Sequence, residues 1–251
     1  MNFHRVQDGN IAYDQVVGNK FDLVFLSGLK SDRMGTKAML IEDFAITNGL
    51  GSIRFDYLGH GDSEGEFTDF GINDWLENTL NVIDNIAKNP VILIGSSLGG
   101  WLALLASLKR PKRIVGLVTL AAAPDFTEDL MWDLFDEKTQ NIINNDGVYN
   151  LPADDCDGEY PITKKLIESG RDNLLLRDDN ILNINIPTYC IHGQKDKDVP
   201  YETSTKIFGR LKTESKKLIL RTNSDHRLSS EPDLRVLLSV LDDFIKNKVK
   251  S

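Results

Sequence analysis

An α/β domain built on a mostly parallel, doubly wound sheet with helices on both faces is what this sequence predicts. Three observations predict it. Short apolar runs such as Val91-Ile92-Leu93-Ile94 and Ile114 to Leu120 recur without polar alternation, as strands buried on both faces do. Amphipathic or apolar stretches of helical period separate them. One of the runs passes through Gly95-Ser96-Ser97-Leu98-Gly99 directly into an apolar helix.

Taken in order, Phe3 to Val6 and Ile11 to Val16, joined by Asp8-Gly9-Asn10, read as an opening hairpin. Phe21 to Leu26 is a strand, Lys37 to Asn48 a helix stopped by Gly49, and Ser52 to Asp56 the next strand. Ile72, Trp75, Leu76, Thr79, Val82, Ile83 and Ile86 share one helical face in a segment that ends near Pro90. Val91 to Ile94 is a strand, Leu98 to Leu108 a helix, and Ile114 to Leu120 another strand. Pro187 to Ile191 and Lys217 to Arg221 supply two more strands, and a last helix runs from about Asp233 to Lys246. Between Thr127 and Asn183 the alternation breaks off, with helical pieces at Leu130 to Phe135 and Ile162 to Ser169. Inserted after a central strand, residues 127–183 should form a small helical cap over the carboxyl ends of the strands, where ligands bind in such sheets.

With 251 residues, 41% hydrophobic and 27% charged, the chain can bury one sizeable core, so residues 1–251 are expected to be a single domain. The formal net charge of −9 argues against nucleic acid and stable membrane association, and for small-molecule partners. That charge is local, since residues 127–183 hold fourteen acidic against five basic side chains and the remainder is balanced. Met1 to Val6 has no basic region leading into an apolar one, and no apolar run is long enough to span a bilayer, so a soluble cytoplasmic protein is expected. Cys156 lies in an acidic loop and Cys190 in an apolar strand, which suggests two free thiols.

The strand-turn-helix around Ser97 is the most informative segment. A G-x-S-x-G turn this sharp lifts its central side chain above the sheet, and Gly95 and Gly99 allow strand and helix to come close. Ser97 is therefore the candidate nucleophile, and Ser96, one residue before the tip, should be buried or structural. The N–H of Leu98, at the helix N-terminus, points to where an oxyanion would develop.

A serine hydroxyl needs a base, and in this arrangement the acid and the histidine follow the serine along the chain. Of the four histidines, His4 and His60 precede Ser97, and His192 ends a strand just where the acid should follow. His226, on the loop before the last helix, remains as the base. For the carboxylate, Asp225 abuts His226 too closely to lie in line with its ring. Asp196, in His192-Gly193-Gln194-Lys195-Asp196-Lys197-Asp198-Val199-Pro200, is the expected acid, with Asp198 as the alternative on the same loop. The second oxyanion donor should come from Ser27-Gly28-Leu29-Lys30-Ser31, with the N–H of Leu29 the choice and Gly28 letting the backbone turn in. His60, in Asp56-Tyr57-Leu58-Gly59-His60-Gly61-Asp62-Ser63, is expected to brace its loop. Trp101 and Trp132, with Phe126 and Phe135, are candidates to line a substrate pocket, against the simpler reading that each is core. Scattered histidines and cysteines without C-x-x-C spacing point to no metal, and the chemistry requires no cofactor.

Phe25-Leu26-Ser27-Gly28-Leu29, Met34-Gly35-Thr36-Lys37-Ala38, Ile53-Arg54-Phe55-Asp56-Tyr57, Gly95 to Leu102 and Ser224-Asp225-His226-Arg227 resemble segments of α/β-hydrolase serine esterases and thioesterases. They look like those of the mitochondrial palmitoyl-protein thioesterases that are also described as removing mycophenolic acid from its acyl glucuronide. The resemblance spans nearly the whole chain and implies an α/β-hydrolase fold with Ser97, Asp196 and His226 as a catalytic triad. It implies a carboxylic ester or thioester as substrate, with an acylated protein among the partners. Two departures bear on this. Those relatives carry a transit peptide, whereas the fold here starts at about Phe3, and the acidic capping segment matches less well. Two other classes of function fit the same residues: a binding module with an idle triad, or the same triad applied to carbon–carbon bond hydrolysis or perhydrolysis.

Overall fold

A computed structural model describes residues 1–152 and 159–248. Cys156, expected to be a free thiol, lies outside the described residues. The first strands, β1 (Asn2–Val6) and β2 (Gly9–Val16), form the opening hairpin. Then come β3 (Asp22–Leu26), helix α1 (Thr36–Asn48), β4 (Gly51–Phe55), α2 (Ile72–Asn81), β5 (Val91–Ser96), α3 (Leu98–Lys109) and β6 (Ile114–Leu120). An insertion follows, opening with a five-residue π turn (Thr127–Met131) and a short 3₁₀ turn (Trp132–Leu134). It continues through α4 (Glu137–Asp146), an antiparallel hairpin β7 (Val148–Pro152) and β8 (Glu159–Thr163), and α5 (Lys164–Arg171). The core then resumes with β9 (Thr188–Gly193), α6 (Glu202–Arg210), β10 (Lys216–Arg221) and α7 (Glu231–Lys248).

The hairpin in the insertion is a departure from the all-helical expectation. Ile162 and Thr163 belong to β8, and α5 begins only at Lys164, because the Thr163 hydroxyl accepts the Leu166 N–H at 3.0 Å and caps the helix there.

The eight-stranded sheet has the order β1-β2-β4-β3-β5-β6-β9-β10, with β2 antiparallel to both its neighbours and every other pair parallel. Period-two alternation sorts β3 between two cores. Val24 and Leu26 join Trp75, Leu93 and Trp101 beneath α2, α3 and the insertion, while Leu23 and Phe25 join Ile41, Ile94, Leu237 and Phe244 beneath α1 and α7. Gly49, at φ 66°, takes the left-handed conformation that ends α1. The helical face foreseen through Ile86 is α-helical to Asn81 and then widens into a π turn over Val82–Ile86.

The insertion is tied to the core by polar contacts that hydropathy does not register. Asp125, buried and at φ 62°, accepts the N–H groups of Leu175 at 2.7 Å and Leu176 at 2.6 Å. Burial pushes the Asp125 carboxyl up, with these two donors opposing the rise. Ser169 Oγ accepts the Ile72 N–H at the start of α2 (2.9 Å), and Trp101 Nε1 donates to the Asn173 carbonyl (3.1 Å). Beyond β3 and β4, Arg33 donates to Asp56 from both its backbone and its guanidinium (2.6 Å each), and also to Asp62 and Asp14. Cys190 is a buried free thiol, pushed up to about 11 by burial.

Candidate active site

Parallel strands bring their carboxyl ends to one edge, and the residues singled out in the sequence lie just beyond those ends. Ser97 follows β5, Leu29 follows β3, Asp196 follows β9, and His226 follows β10.

Ser97 sits at φ 54° and ψ −117°, a conformation that non-glycine residues avoid and that the surrounding turn enforces. Its N–H donates to the Leu120 carbonyl at 2.9 Å, and its carbonyl accepts from Gly100, Trp101 and Ala123. The glycines are needed for close approach. A Cβ on Gly95 would stand 2.2 Å from the Gly99 carbonyl oxygen, and one on Gly99 would stand 2.1 Å from the Leu26 carbonyl oxygen. Ser96 is buried at the end of β5, as its position before the tip required.

The Ser97 Oγ lies 2.9 Å from His226 Nε2, and His226 Nδ1 lies 2.7 Å from Asp196 Oδ2. A carboxylate only accepts, so Nδ1 carries the proton and Nε2 turns its lone pair to the serine hydroxyl. Asp196 has a fully buried side chain whose Oδ1 accepts from the N–H groups of Asp198 and Val199, each at 2.9 Å. Burial works to raise its pKa, but hydrogen bonds from His192, His226 and Val199 outweigh it and hold the carboxyl far below the usual range. Asp198, the alternative acid, is exposed and touches Asp196 through its backbone. Asp225 accepts from the Leu228 N–H instead of facing its neighbour's ring.

Gly28 packs against the nucleophile: a Cβ there would be 3.5 Å from Ser97 Cβ. That contact brings the Leu29 segment to the serine. Leu98 opens α3, where first-turn N–H groups lack helical partners. Trp101 is fully buried, edge-on to Phe126 with ring centroids 5.7 Å apart, so it packs and anchors the insertion and offers no surface to a ligand. Trp132 is half-buried beneath the Arg171 guanidinium, 4.5 Å from its ring centre, and Arg171 is paired with Glu128. Phe135 stacks edge-on with Tyr149 of β7.

Two features of the site have no signature in the sequence. Lys37 of α1 donates to the Arg227 carbonyl at 2.5 Å and to Ser229 Oγ at 3.3 Å, so it holds the loop that carries His226. Burial pushes its ammonium down to about 8, with Asp225 and Asp233 opposing the fall and Arg227 adding to it. His192 contacts Asp196, although the motif His-Gly-x-x-Asp marks it only as a strand end. Among the described residues, Asp196, Asp198 and His226 could present metal ligands within 4.8 Å of one another. Two of the three are already engaged in the Asp196–His226 hydrogen bond, so an ion there would compete with it.

Residues 23–236 match the model of the alpha/beta hydrolase family, and the chain belongs to that family and is a hydrolase. It is 35% identical over 237 residues to the mitochondrial palmitoyl-protein thioesterase ABHD10 of Bos taurus, covering 94% of this chain and 76% of the relative. The human protein of the same name is 34% identical over the same span. The structure of alpha/beta hydrolase domain-containing protein 10 from mouse superposes with a TM-score of 0.90 at 31% identity, covering 98% of each chain. The two thioesterase relatives are mitochondrial by name, which overturns the expectation of a cytoplasmic protein. That expectation rested on the lack of a basic-then-apolar pattern in Met1 to Val6 and of a bilayer-length apolar run. No helix among the described residues is long and apolar enough to cross a membrane.

Proposed function

We propose that this hydrolase cleaves carboxylic esters or thioesters with Ser97 as nucleophile, His226 as general base and then acid, and Asp196 as the carboxylate that orients it. The observation that carries the reading is the hydrogen-bonded series Asp196 Oδ2, His226 Nδ1, His226 Nε2 and Ser97 Oγ, with steps of 2.7 and 2.9 Å, on a serine held at φ 54°.

In this reading Ser97 Oγ attacks the acyl carbon as its proton passes to His226 Nε2, and the N–H groups of Leu29 and Leu98 hold the oxyanion. The tetrahedral intermediate collapses with loss of an alkoxide that takes the proton from His226 as it leaves, or of a thiolate that leaves with little help and takes that proton afterwards, so His226 is neutral again in either case. Water, deprotonated by His226, then attacks the acyl-enzyme and releases the acid and free Ser97. The chemistry uses no cofactor. In this reading residues 127–183 serve as the cap, with Trp132 as a substrate contact from it and Gly28 as the contact beside Ser97. The thioesterase names of the relatives favour acylated substrates, among them an acylated protein.

The test is steady-state turnover by wild type and Ser97→Ala on p-nitrophenyl esters of increasing chain length, with a matched S-acyl peptide alongside and a fluorophosphonate label. Turnover and labelling by wild type, both lost in Ser97→Ala, are expected. Equal rates for the two proteins would sink the assignment.

A further inference from the structure

His192 has no part in the chemistry described above, yet its imidazole is fully buried and every polar atom on it is engaged. Nε2 lies 2.9 Å from Asp196 Oδ2 and 3.1 Å from the Val199 carbonyl, while Nδ1 lies 2.7 Å from Ser204 Oγ. Both partners of Nε2 are acceptors, so Nε2 carries the proton, and Nδ1 accepts from the Ser204 hydroxyl. Ser204 is itself fully buried on α6 and therefore fixes the tautomer from behind.

We propose that His192 is a positioning residue for the acid of this site: its Nε2–H donates to the same Asp196 Oδ2 that accepts the His226 Nδ1–H hydrogen bond and thereby fixes the carboxylate plane. The inference rests on the assignment of Ser97, Asp196 and His226 made above and deepens it. With Oδ1 held by two backbone N–H groups and Oδ2 by two imidazoles, the carboxylate has four donors and no freedom to rotate. Satisfying a buried histidine alone does not require this, because Val199 and Ser204 already provide an acceptor and a donor. The adjoining Gly193 serves the same end. A Cβ there would lie 2.3 Å from the Ser224 carbonyl oxygen, so only glycine lets the β9 loop meet the loop bearing His226. Lys195 N–H to Ser224 (3.0 Å) and Gln194 N–H to Arg221 (2.9 Å) lock the two loops together. A base displaced by a fraction of an ångström loses rate while substrate affinity is little changed.

The experiment compares wild type, His192→Phe, His192→Gln and Ser204→Ala on one p-nitrophenyl ester, with kcat normalised to the sites titrated by a fluorophosphonate. Normalisation removes the effect of misfolded protein, which lowers the count of sites and leaves the rate per site alone. In His192→Phe, kcat per site should fall about ten- to hundredfold, the worth of one hydrogen bond to a charged group, with KM within about twofold. His192→Gln places an amide N–H near the same oxygen and should recover to within about fivefold of wild type. Should His192→Phe yield no titratable sites, Ser204→Ala decides the matter, with an expected loss of about three- to tenfold in kcat per site. A per-site kcat within twofold of wild type in His192→Phe, or in Ser204→Ala where that variant decides, overturns the proposal. So does His192→Gln being as poor as His192→Phe. Ser97→Ala and Asp196→Asn run in parallel as the control on the underlying assignment. If either keeps wild-type turnover, that assignment fails and this inference with it; if both are inactive, a normal His192→Phe overturns the inference alone.

Discussion

Replacing His60 by phenylalanine should make this protein more resistant to acid. His60 is 4% exposed, and its ring lies edge-on to Tyr57, Phe67 and Trp75 at 5.5, 5.4 and 5.1 Å. Nδ1 is 3.4 Å from the Leu58 carbonyl, and Nε2 has no partner among the described residues. Burial pushes the imidazole down to about 4 from its ordinary 6.5, with the Leu58 carbonyl opposing the fall and Lys30 adding to it.

A folded value below the unfolded one means that the unfolded chain takes up the proton first as pH falls. Stability is therefore intact above pH 6.5 and is lost between 6.5 and about 4, at up to about 1.4 kcal/mol per pH unit. Between pH 7.5 and 4.5 this amounts to roughly 2.5 kcal/mol. His60→Phe keeps an aromatic ring in the cluster and removes the titration. Whatever its packing change contributes is the same at both pH values and cancels in the difference. Titrations shared by the two proteins, such as those around Asp196, cancel as well. Urea unfolding followed by tryptophan fluorescence at pH 7.5 and 4.5 measures the effect. The variant should gain roughly 2.5 kcal/mol on wild type over that interval, or about 5–10 °C in Tm at pH 4.5. Parallel loss of stability, with the gap between the proteins changing by less than about 0.5 kcal/mol, would refute the argument.

Two further outcomes follow from the geometry. Arg33→Met leaves the fully buried Asp56 carboxylate without its cation and should cost about 3–5 kcal/mol in chemical denaturation, a far larger loss than Arg110→Met at the exposed pair with Asp84. Gly28→Val carries methyl groups past a Cβ that already stands 3.5 Å from Ser97 Cβ, so kcat/KM should drop at least about a hundredfold while Tm stays within a few degrees of wild type.

Much of this molecule is legible in the amino-acid chain alone, and the reason is physical. Strands covered on both faces must be apolar throughout, an amphipathic helix must keep a 3.6-residue period, and a helix buried all round is apolar along its length, so β3, β5, β6, α2 and α3 announce themselves along the chain. The turn at Ser97 is equally legible, because a close approach to the Leu26 carbonyl leaves room for glycine alone at position 99. Chain order together with spacing picks Ser97 and His226 and narrows the acid to Asp196 or Asp198, and Ser97, His226 and Asp196 lie in one hydrogen-bonded series. The β7–β8 hairpin is not legible. Its strands are half exposed, Pro152 and Pro161 interrupt the β signal, and Ile162 fits a helical period as well as a strand's.

What only the tertiary structure decided is which polar groups face each other across long separations in the chain. Nothing local marks Lys37 as the partner of the Arg227 carbonyl, Asp125 as the anchor of Leu175 and Leu176, or Ser204 as the residue behind His192. A hydropathy pattern records whether a side chain avoids water. It says nothing of which acceptor a buried donor meets, because that depends on distances set by how helices pack on the sheet. For the same reason the sequence could propose Asp196 over Asp198 by spacing, whereas the contact itself, 2.7 Å to His226 Nδ1, is a property of two loops brought together by parallel strands.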